Sequence, residues 1–297
     1  MKSISRYLLA IVALVAMSAA LFTACGGDDD DSAKKSPTAA PIVVPTFAAD
    51  SSMAAIVKKG KLVVGVKFDQ PGFGQLDPVS KKVDGFDVAI AKEIAKSLGL
   101  KDEQIEFIES VSKDRIPFLQ TDKVDLVIAT MTINAERKTQ IEFSKPYYQA
   151  GQSILVKKDN TTIKAVTDLN GKKVCSVKGS TSEKNVKEKA PTSDLLTLDA
   201  YSACVSSLKD GRVEAVSTDD IILAGYAATD ATIKLVGGQF TKEPYGIGIK
   251  KGDVKFCEFI NKTLKDNEAA YNKAWADTAG KVEGASAAKL PEAAACS

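Results

Sequence analysis

The chain has 297 residues, of which 44% are hydrophobic and 26% are charged, so it can bury an ordinary core and form one large domain or two smaller ones. Without Lys2 and Arg6, which lie in an N-terminal segment predicted below to be removed, 38 basic residues (40 − 2) face 38 acidic ones. This balance argues against nucleic acid as a partner. The chain has no histidine, which excludes Ser-His-Asp and Cys-His catalysis and histidine-based zinc motifs.

The first 24 residues have the pattern of an export signal. Lys2 and Arg6 precede an uncharged apolar run over residues 7–24, which ends directly before Cys25. The stretch "LFTAC" resembles a bacterial lipobox, although Phe22 stands where leucine is usual. We therefore predict a signal peptide over 1–24, lipidation of Cys25, and a protein anchored to the outer face of the cell membrane. The alternative is an uncleaved membrane helix, since the run nearly reaches spanning length.

Residues 25–52 are predicted to be a lipidated cysteine followed by a flexible linker. The segment is rich in Gly, Asp, Ser, Ala and Pro and shows no periodicity, which is typical of a tether. Its four consecutive aspartates favour a solvated segment held away from an anionic membrane surface.

The part of the chain from residue 53 to about residue 150 alternates strands and helices. β-branched runs predict strands over 61–66, 105–110 and 124–129, and helical spacing predicts helices over 85–100 and 114–123. Gly99 supplies a stop signal for the first helix, and Pro117 is tolerated in the first turn of the second. This order of strand, helix, strand, helix and strand is typical of parallel βαβ units and predicts an α/β fold.

A second series of strands and helices begins with the predicted strand Gly151–Lys158, which no long helix precedes. The predicted strand Tyr245–Lys251 and a long helical tail from near Asp253 end the chain. The order predicts a second lobe inserted into the first, with two crossing strands as a hinge. The expected bounds are 53–152 for the first part of lobe one, 153–242 for lobe two, and 243–297 for the return to lobe one.

Polar residues follow three of the predicted strands. Ligands in open α/β sheets bind beyond the carboxyl ends of the strands, where loops and helix N-termini converge. Three clusters at equivalent strand ends therefore predict one binding site. Its candidates are Thr130 and Thr132, then Lys178, Thr181 and Ser182, then Asp219.

With these residues placed, residues 53 to about 278 resemble the polar amino-acid-binding proteins of bacterial ABC importers, solute-binding protein family 3. The resemblance rests on "GVKFDQPGFG", "DGFDVAIAKEIA", "VDLVIATMTINAERKTQIEFSKPYY", "SVKGSTSEKN" and "AVSTDD" in this order. It implies a type II periplasmic-binding-protein fold whose two lobes close over a free L-amino acid and then dock on a membrane permease. It also implies a monomer without cofactor or metal.

The resemblance assigns roles to the candidate residues. Thr130 and Thr132 would meet the α-carboxylate and α-amine of the ligand, and Arg137 would pair bidentately with the carboxylate. Thr181 and Ser182 would supply donors at a helix N-terminus, and Asp219 would take the ammonium.

Each of these assignments has a structural alternative. Arg137 could lie on a helix surface, Asp219, Thr181 and Ser182 could be helix caps, and Lys178 could be solvated. Aromatic residues of the first loop often line the cleft in the family, which makes Phe68 a candidate, but Phe68 and Phe73 could equally be core residues.

Two further cations suggest an acidic ligand. Glutamine binders of the family carry an aspartate at the position of Lys67, and acidic-amino-acid binders carry an arginine near the position of Arg115. We therefore expect glutamate or aspartate, with glutamine or asparagine as the alternative. In the structural alternative, Arg115 points to solvent and Lys67 pairs with Asp69 or Asp84.

Four cysteines remain after Cys25 and allow three disulfide pairings. We favour Cys175–Cys204, within one αβ region, and Cys257–Cys296, which would staple the tail to a helix; buried free thiols are the alternative.

A dehydratase or lyase on the same fold is the main rival function. Such an enzyme needs a general acid or base in the cleft. The one carboxylate placed there, Asp219, is already assigned to an ammonium. A receptor sensing domain is a second rival, and we would expect it to continue into a transmembrane helix.

Overall fold

The computed structural model describes residues 45–282 together with residues 285, 290 and 296. The predicted signal peptide, Cys25 and the aspartate tract lie outside the described residues. No helix within the described part combines the length and apolar content needed to cross a membrane.

The first lobe is built on a five-stranded sheet. In spatial order its strands are β5 (Ile105–Glu109), β1 (Leu62–Val66), β6 (Leu126–Val127), β15 (Gly248–Lys250) and β7 (Ile141–Phe143). β5, β1 and β6 are parallel, as predicted, and β15 is antiparallel to both of its neighbours. The α-helices of this lobe are α1 (Ser52–Lys59), α2 (Phe86–Ser97), α3 (Arg115–Gln120), α4 (Ala135–Lys138), α8 (Val254–Asp266) and α9 (Glu268–Asp277).

The second lobe is built on a separate five-stranded sheet. Its strands are β11 (Asp194–Leu198), β10 (Lys173–Val177), β12 (Ala215–Asp219), β9 (Gln152–Lys157) and β13 (Ile233–Val236). The helices α5 (Thr181–Lys189), α6 (Tyr201–Lys209) and α7 (Asp220–Ala227) pack on this sheet. Short 3₁₀ helices lie at Asp102–Gln104, Val166–Leu169 and Ala279–Lys281.

The two sheets are joined by an antiparallel strand pair. β8 (Tyr148–Ala150) leads into the second lobe, and β14 (Glu243–Tyr245) leads back into the first. A two-strand hinge and an inserted second lobe are therefore confirmed. The predicted crossing strands, 151–158 and 245–251, instead mainly form β9 and β15 of the two large sheets. A small sheet of β2 (Asp69–Gln70), β3 (Gly74–Leu76) and β4 (Val83–Asp84) has no counterpart among the predicted strands. Its strands β3 and β4 contact α2 of the first lobe, and β2 contacts α6 and α7 of the second.

Helix α2 shows how the sequence specifies the first lobe. Phe86, Ile90 and Ile94 follow one another at four-residue spacing and are all buried, which gives the helix its apolar face. The helix ends at Ser97, and Gly99 has a φ of +80°, a left-handed conformation that glycine adopts at little cost. Phe86 packs edge-on against Trp275 of α9, with ring centroids 5.1 Å apart, so the tail helices return to the core of the first lobe.

Both favoured disulfides are present. Cys175 of β10 is bonded to Cys204 of α6, with Cα atoms 5.5 Å apart, and Cys257 of α8 is bonded to Cys296, with Cα atoms 6.0 Å apart. Their pairing is therefore confirmed.

Two predicted segments differ in detail. The helical tail is two helices, α8 and α9, rather than one. The predicted linker reaches residue 52, whereas Phe47 already packs on Phe259 and the Ser51 side chain caps α1, so the fold begins within that segment.

Candidate functional site

Five ionisable side chains are buried where the two lobes meet. Three are cations of the first lobe, one is a carboxylate at the end of β12, and one is a carboxylate on the hinge. They are Lys67, Arg115, Arg137, Asp219 and Glu243, and none is more than 7% exposed. Burying charges at this density is costly unless they find partners, so the partners of each group indicate what the site is built to bind.

Arg137 follows the N-cap Asn134 on the one-turn helix α4 and turns into the cleft. It is 7% exposed, so it is not a helix-surface arginine. One Nη1 N–H donates to the Thr132 carbonyl at 2.7 Å, and Nη2 donates to the Gly179 carbonyl of the second lobe at 3.3 Å. A guanidinium has five N–H donors, so these bonds leave three for a ligand.

Arg115 and Lys67 lie close to Arg137. Arg115 donates from Nε to the Ser112 carbonyl at 3.2 Å and from Nη1 to the Ala129 carbonyl at 3.0 Å, which rules out the solvent-facing alternative. Lys67 donates to Ser112 Oγ at 3.0 Å, rather than pairing with Asp84. Burial, and then the charge of Arg115, lowers the pKa of Lys67 to about 7.

Thr130 is held in an unusual backbone conformation at the end of β6. Its φ is +44°, a region that L-residues rarely adopt. The Asp87 carboxylate accepts from the Thr130 N–H at 3.0 Å, and Gln70 Oε1 accepts from its hydroxyl at 2.8 Å. Both the backbone N–H and the hydroxyl proton of Thr130 are therefore already bonded within the protein.

Asp219 is the last residue of β12 rather than a residue beyond it. It occupies the N-cap position of α7, but its carboxylate makes no cap bond to the helix. Tyr245 donates to Oδ2 at 2.6 Å, whereas the buried Oδ1 has no partner among the described residues. Burial, and then the neighbouring charge of Glu243, raises the pKa of Asp219 to about 8.

Thr132 and Thr181 face each other across the cleft, with their hydroxyl oxygens 3.3 Å apart. Both hydroxyls donate to Glu243 Oε2, Thr132 at 2.7 Å and Thr181 at 2.8 Å. Thr181 is not the cap of α5, because Ser180 takes that position. In this structure the hydroxyl proton of Thr181 is directed to Glu243, whereas the sequence predicts that it donates to the ligand.

The remaining candidates are divided between the cleft and its surroundings. Ser182 is buried, with its hydroxyl 3.2 Å from Thr218 Oγ1, and the Tyr201 hydroxyl contacts both side chains. Lys178 is exposed at the end of β10, which fits its solvated alternative. Phe68 is half-buried against the main core, and Phe73 is a fully buried core residue.

The lobes are in contact in this structure, so the cleft is closed. Lys113 Nζ lies 2.6 Å from Asp199 Oδ1, and Asp69 accepts from the Ser202 N–H at 3.1 Å. Gly179, whose φ is +78°, approaches so closely that a Cβ atom on it would lie 2.9 Å from Lys113 Cα. A glycine is required at this position for the lobes to meet.

Glu243, Tyr201, Asp87 and Tyr245 were not predicted from the sequence. The available signal for Glu243 was its place in "EPYGIG", directly before a strand predicted to cross between the lobes. A glutamate at a crossing strand has to enter the interface, but the strand was predicted to begin only at Tyr245.

The arrangement is suited to a zwitterion. Three guanidinium N–H groups of Arg137 on the first lobe are not used by the bonds described above. On the second lobe, Oδ1 of Asp219 has no partner among the described residues. These groups match a carboxylate and an ammonium on one small molecule. No group of three or more potential metal ligands of the His, Cys, Asp and Glu type occurs within the described residues.

Comparisons with known proteins agree with this geometry. The ABC transporter glutamine-binding protein GlnH of Bacillus subtilis is 45% identical over 72% of this chain and 78% of its own length. The glutamate-binding protein GluB of Corynebacterium glutamicum is 37% identical over 75% of this chain and 80% of its own. An ancestral arginine-binding protein solved with glutamine is 43% identical, with a TM-score of 0.70, over 75% of this chain and 99% of that one. Residues 62–275 match the model of the bacterial extracellular solute-binding proteins, family 3, and the chain belongs to that family.

Proposed function

We propose that the protein captures a free α-amino acid between its lobes and delivers it to the membrane permease of an ABC importer. One observation carries this proposal: Arg137 of the first lobe retains three N–H donors and Asp219 of the second retains a buried oxygen without a partner among the described residues. An α-carboxylate and an α-ammonium would satisfy both groups at once. Because the two groups lie on different lobes, the ligand would stabilise the closed form.

The charge count favours an acidic side chain on the ligand. Two buried cations, Lys67 and Arg115, lie close to Arg137, which alone would serve the α-carboxylate of the ligand. The second carboxylate of glutamate or aspartate would give these two cations an anionic partner. A neutral ligand would leave them desolvated without such a partner, which is unfavourable.

Glutamine is the second candidate, and the comparisons favour it. Relatives that are 45% and 42% identical to this chain are named as glutamine-binding proteins, whereas the glutamate-binding relative is 37% identical. Ser112, which accepts from Lys67, also accepts from Arg115 through its carbonyl. A lysine that is neutral part of the time, with a pKa of about 7, would tolerate an amide in this corner of the cleft.

Titration calorimetry against the twenty amino acids, with glutamate, aspartate, glutamine and asparagine in direct competition, separates the two candidates. Glutamate or aspartate is expected to bind most tightly. Glutamine binding more tightly than both would replace the acidic assignment and leave amino-acid binding intact. If none of the twenty amino acids gave binding heat or a shift in the melting temperature, the proposed function would be overturned.

Small-angle scattering tests the closing motion that the hinge implies. Ligand contacts from both lobes should shift the population toward the closed form and reduce the radius of gyration. An unchanged radius at saturation would show that the ligand binds elsewhere or that the lobes are rigid.

A binding role without chemistry is part of the proposal. The raised pKa of Asp219 would also suit a general acid, which is the feature that keeps the enzyme alternative in view. Mass spectrometry of the amino acid recovered after long incubation should show it unchanged. Any product above the level found with Asp219→Asn protein would favour the enzyme.

We also propose that the protein is exported and anchored through lipidated Cys25, on the sequence pattern alone. Intact-mass analysis of membrane-extracted protein should give a chain that begins at Cys25 and carries acyl groups. A mature chain that retains residues 1–24 would contradict this.

A further inference from the structure

Glu243 is a buried carboxylate on the hinge strand β14 that binds to residues of both lobes. It is 3% exposed, and each of its oxygens accepts two hydrogen bonds. Oε2 accepts from Thr132 at 2.7 Å and from Thr181 at 2.8 Å, and Oε1 accepts from Thr241 at 2.7 Å and from Asn185 Nδ2 at 3.0 Å. The hinge strands pair through their backbones and do not need this carboxylate, so the side chain must have another role.

The four donors divide between the lobes. Thr132 belongs to the segment that follows β6 of the first lobe, while Thr181 and Asn185 belong to α5 of the second. Asn185 also donates to Gln152 Oε1 at 2.8 Å, which ties the same helix to β9. One carboxylate oxygen of Glu243 thus connects the lobes in the closed cleft.

The direction of these bonds fixes the polarity of the threonines. An ionised carboxylate only accepts, so Thr132 and Thr181 each donate their hydroxyl proton to it. Their oxygens then offer lone pairs to the cleft and act as acceptors. Glu243 also lies close enough to Arg137 to offset part of its charge.

We propose that Glu243 is a positioning residue that stabilises the closed arrangement of the lobes and presents Thr132 and Thr181 to the ligand as acceptors. This role rests on the proposed amino-acid binding, which supplies the ammonium that the two hydroxyl oxygens accept from. Glu243 itself acts through the threonines.

Glu243→Gln is the central variant, because the amide keeps the size of the side chain but cannot accept all four bonds. Glu142→Gln is the matched control: Glu142 is equally buried but bonds to Lys251 and Gly252 within the first lobe. Ligand-free Glu243→Gln protein should have a larger radius of gyration than the parent. It should also bind glutamate about tenfold more weakly, since apparent affinity falls with the population of the closed state. Glu142→Gln should match the parent in both measurements.

A double-mutant cycle with Thr181→Val separates positioning from a general structural effect. If Glu243 acts through the Thr181 hydroxyl, the two substitutions should weaken binding by less than the product of their separate effects. Glu142→Gln combined with Thr181→Val should be multiplicative. Independent effects of Glu243→Gln and Thr181→Val, or Glu243→Gln binding within twofold of the parent, would overturn the proposal.

The experiment remains decisive if other parts fail. Should the parent bind no amino acid, the proposed function fails, and the ligand-free radius still reports on the contact between the lobes. Should Glu243→Gln lose its melting transition, Thr181→Val alone is expected to raise the ligand-free radius, and an unchanged radius would contradict the role of Glu243 in closure.

Discussion

The two lobes treat their buried charges differently. In the first lobe, Arg137 and Arg115 are held by backbone carbonyls, so their guanidinium planes are fixed before any ligand arrives. In the second lobe, Asp219 is held by a single hydroxyl from Tyr245 and keeps one buried oxygen without a described partner. Under the proposed function, the first lobe would hold preformed donors for the carboxylate of the ligand, and the ammonium would supply the missing partner of Asp219 in the second lobe.

Arg137→Ala is the strongest test of the preformed donors in the first lobe. Removing one partner of a buried charge pair typically costs about 2–5 kcal/mol, or roughly 30-fold to several thousand-fold in affinity. Calorimetry should therefore detect little or no binding, while the melting transition persists. Arg212→Ala, at an exposed arginine paired with Asp210, is the control and should bind normally. Binding within threefold of the parent would show that the α-carboxylate of the ligand binds elsewhere.

The same difference between the lobes explains how much of the site was predictable. Asp219 could be placed from the sequence, because it lies at the end of an apolar strand and the carboxyl ends of parallel strands converge. Arg137 was assigned through the family resemblance. The same order of strands and helices predicted the two lobes and a hinge. It also indicated the disulfides, because one pair lies within one αβ region and the other joins the tail to a helix.

The partners of those residues could not be predicted. Glu243 and Tyr245 reach the cleft only because β14 pairs with β8. Asp87 reaches Thr130 only because α2 packs against β1, the neighbour of β6 in the sheet. These are long-range contacts without a local pattern. The bond from the Thr181 hydroxyl to Glu243 is also a long-range contact. The sequence does not reveal it, and Thr181 was therefore predicted to donate to the ligand.

The disulfides extend the comparison to stability. Cys175–Cys204 joins β10 to α6 inside the second lobe, and Cys257–Cys296 ties the tail to α8, with similar separations of 29 and 39 residues. Chain entropy then predicts a loss of about 3–4 kcal/mol in the free energy of unfolding for either pair of serine substitutions. Affinity should fall only for Cys175→Ser with Cys204→Ser, because α6 carries Tyr201 into the cleft. Chemical denaturation and calorimetry check both parts, and equal losses of affinity would argue that the second lobe has no special dependence on its disulfide.

Asp219→Asn tests whether the second lobe is incomplete without ligand. The pKa of Asp219 is raised to about 8, so the folded state binds its proton more tightly than the unfolded chain, where the pKa is about 4. The free energy of unfolding should therefore fall as pH rises from about 4 to about 8. An amide at this position cannot ionise, so ligand-free Asp219→Asn protein should lose less stability over this range. Its stability relative to the parent should therefore increase from pH 5 to pH 7.

Denaturation at pH 5, 6 and 7 is the useful window for this comparison. Lys67, whose pKa is lowered from 10.5 to about 7, makes stability rise only above about pH 7, so it does not mask the trend. Asp87, with a pKa raised to about 7, contributes a decline of the same sign in both proteins. Asp210→Asn, at an exposed carboxylate, is the control. Parallel curves for parent and Asp219→Asn would refute the idea of an unpaired carboxylate in the second lobe.

Lys67→Met gives the smallest expected effect and addresses the ligand's side chain. Arg115 is a poor probe, because its N–H groups hold the carbonyls of Ser112 and Ala129 and their loss would disturb the fold. Lys67 donates to Ser112 Oγ, and methionine keeps most of its length without the charge. We expect glutamate binding to weaken by about 1 kcal/mol, roughly fivefold, and glutamine binding to stay within twofold. Lys96→Met, at an exposed lysine of α2, should change neither.

The pH dependence of the same variant makes the prediction sharper. Lys67 has a pKa of about 7 in the ligand-free protein and must be protonated to pair with a second carboxylate, so glutamate binding should take up a proton near neutral pH. Measured in buffers of different ionisation enthalpy, this uptake should disappear in Lys67→Met. Asp219 works in the opposite direction, because its proton has to leave when the ammonium binds, and this release should remain in the variant. If the parent and Lys67→Met took up or released the same number of protons on binding glutamate, Lys67 would not pair with an anionic group of the ligand. Glutamine would then be the favoured ligand.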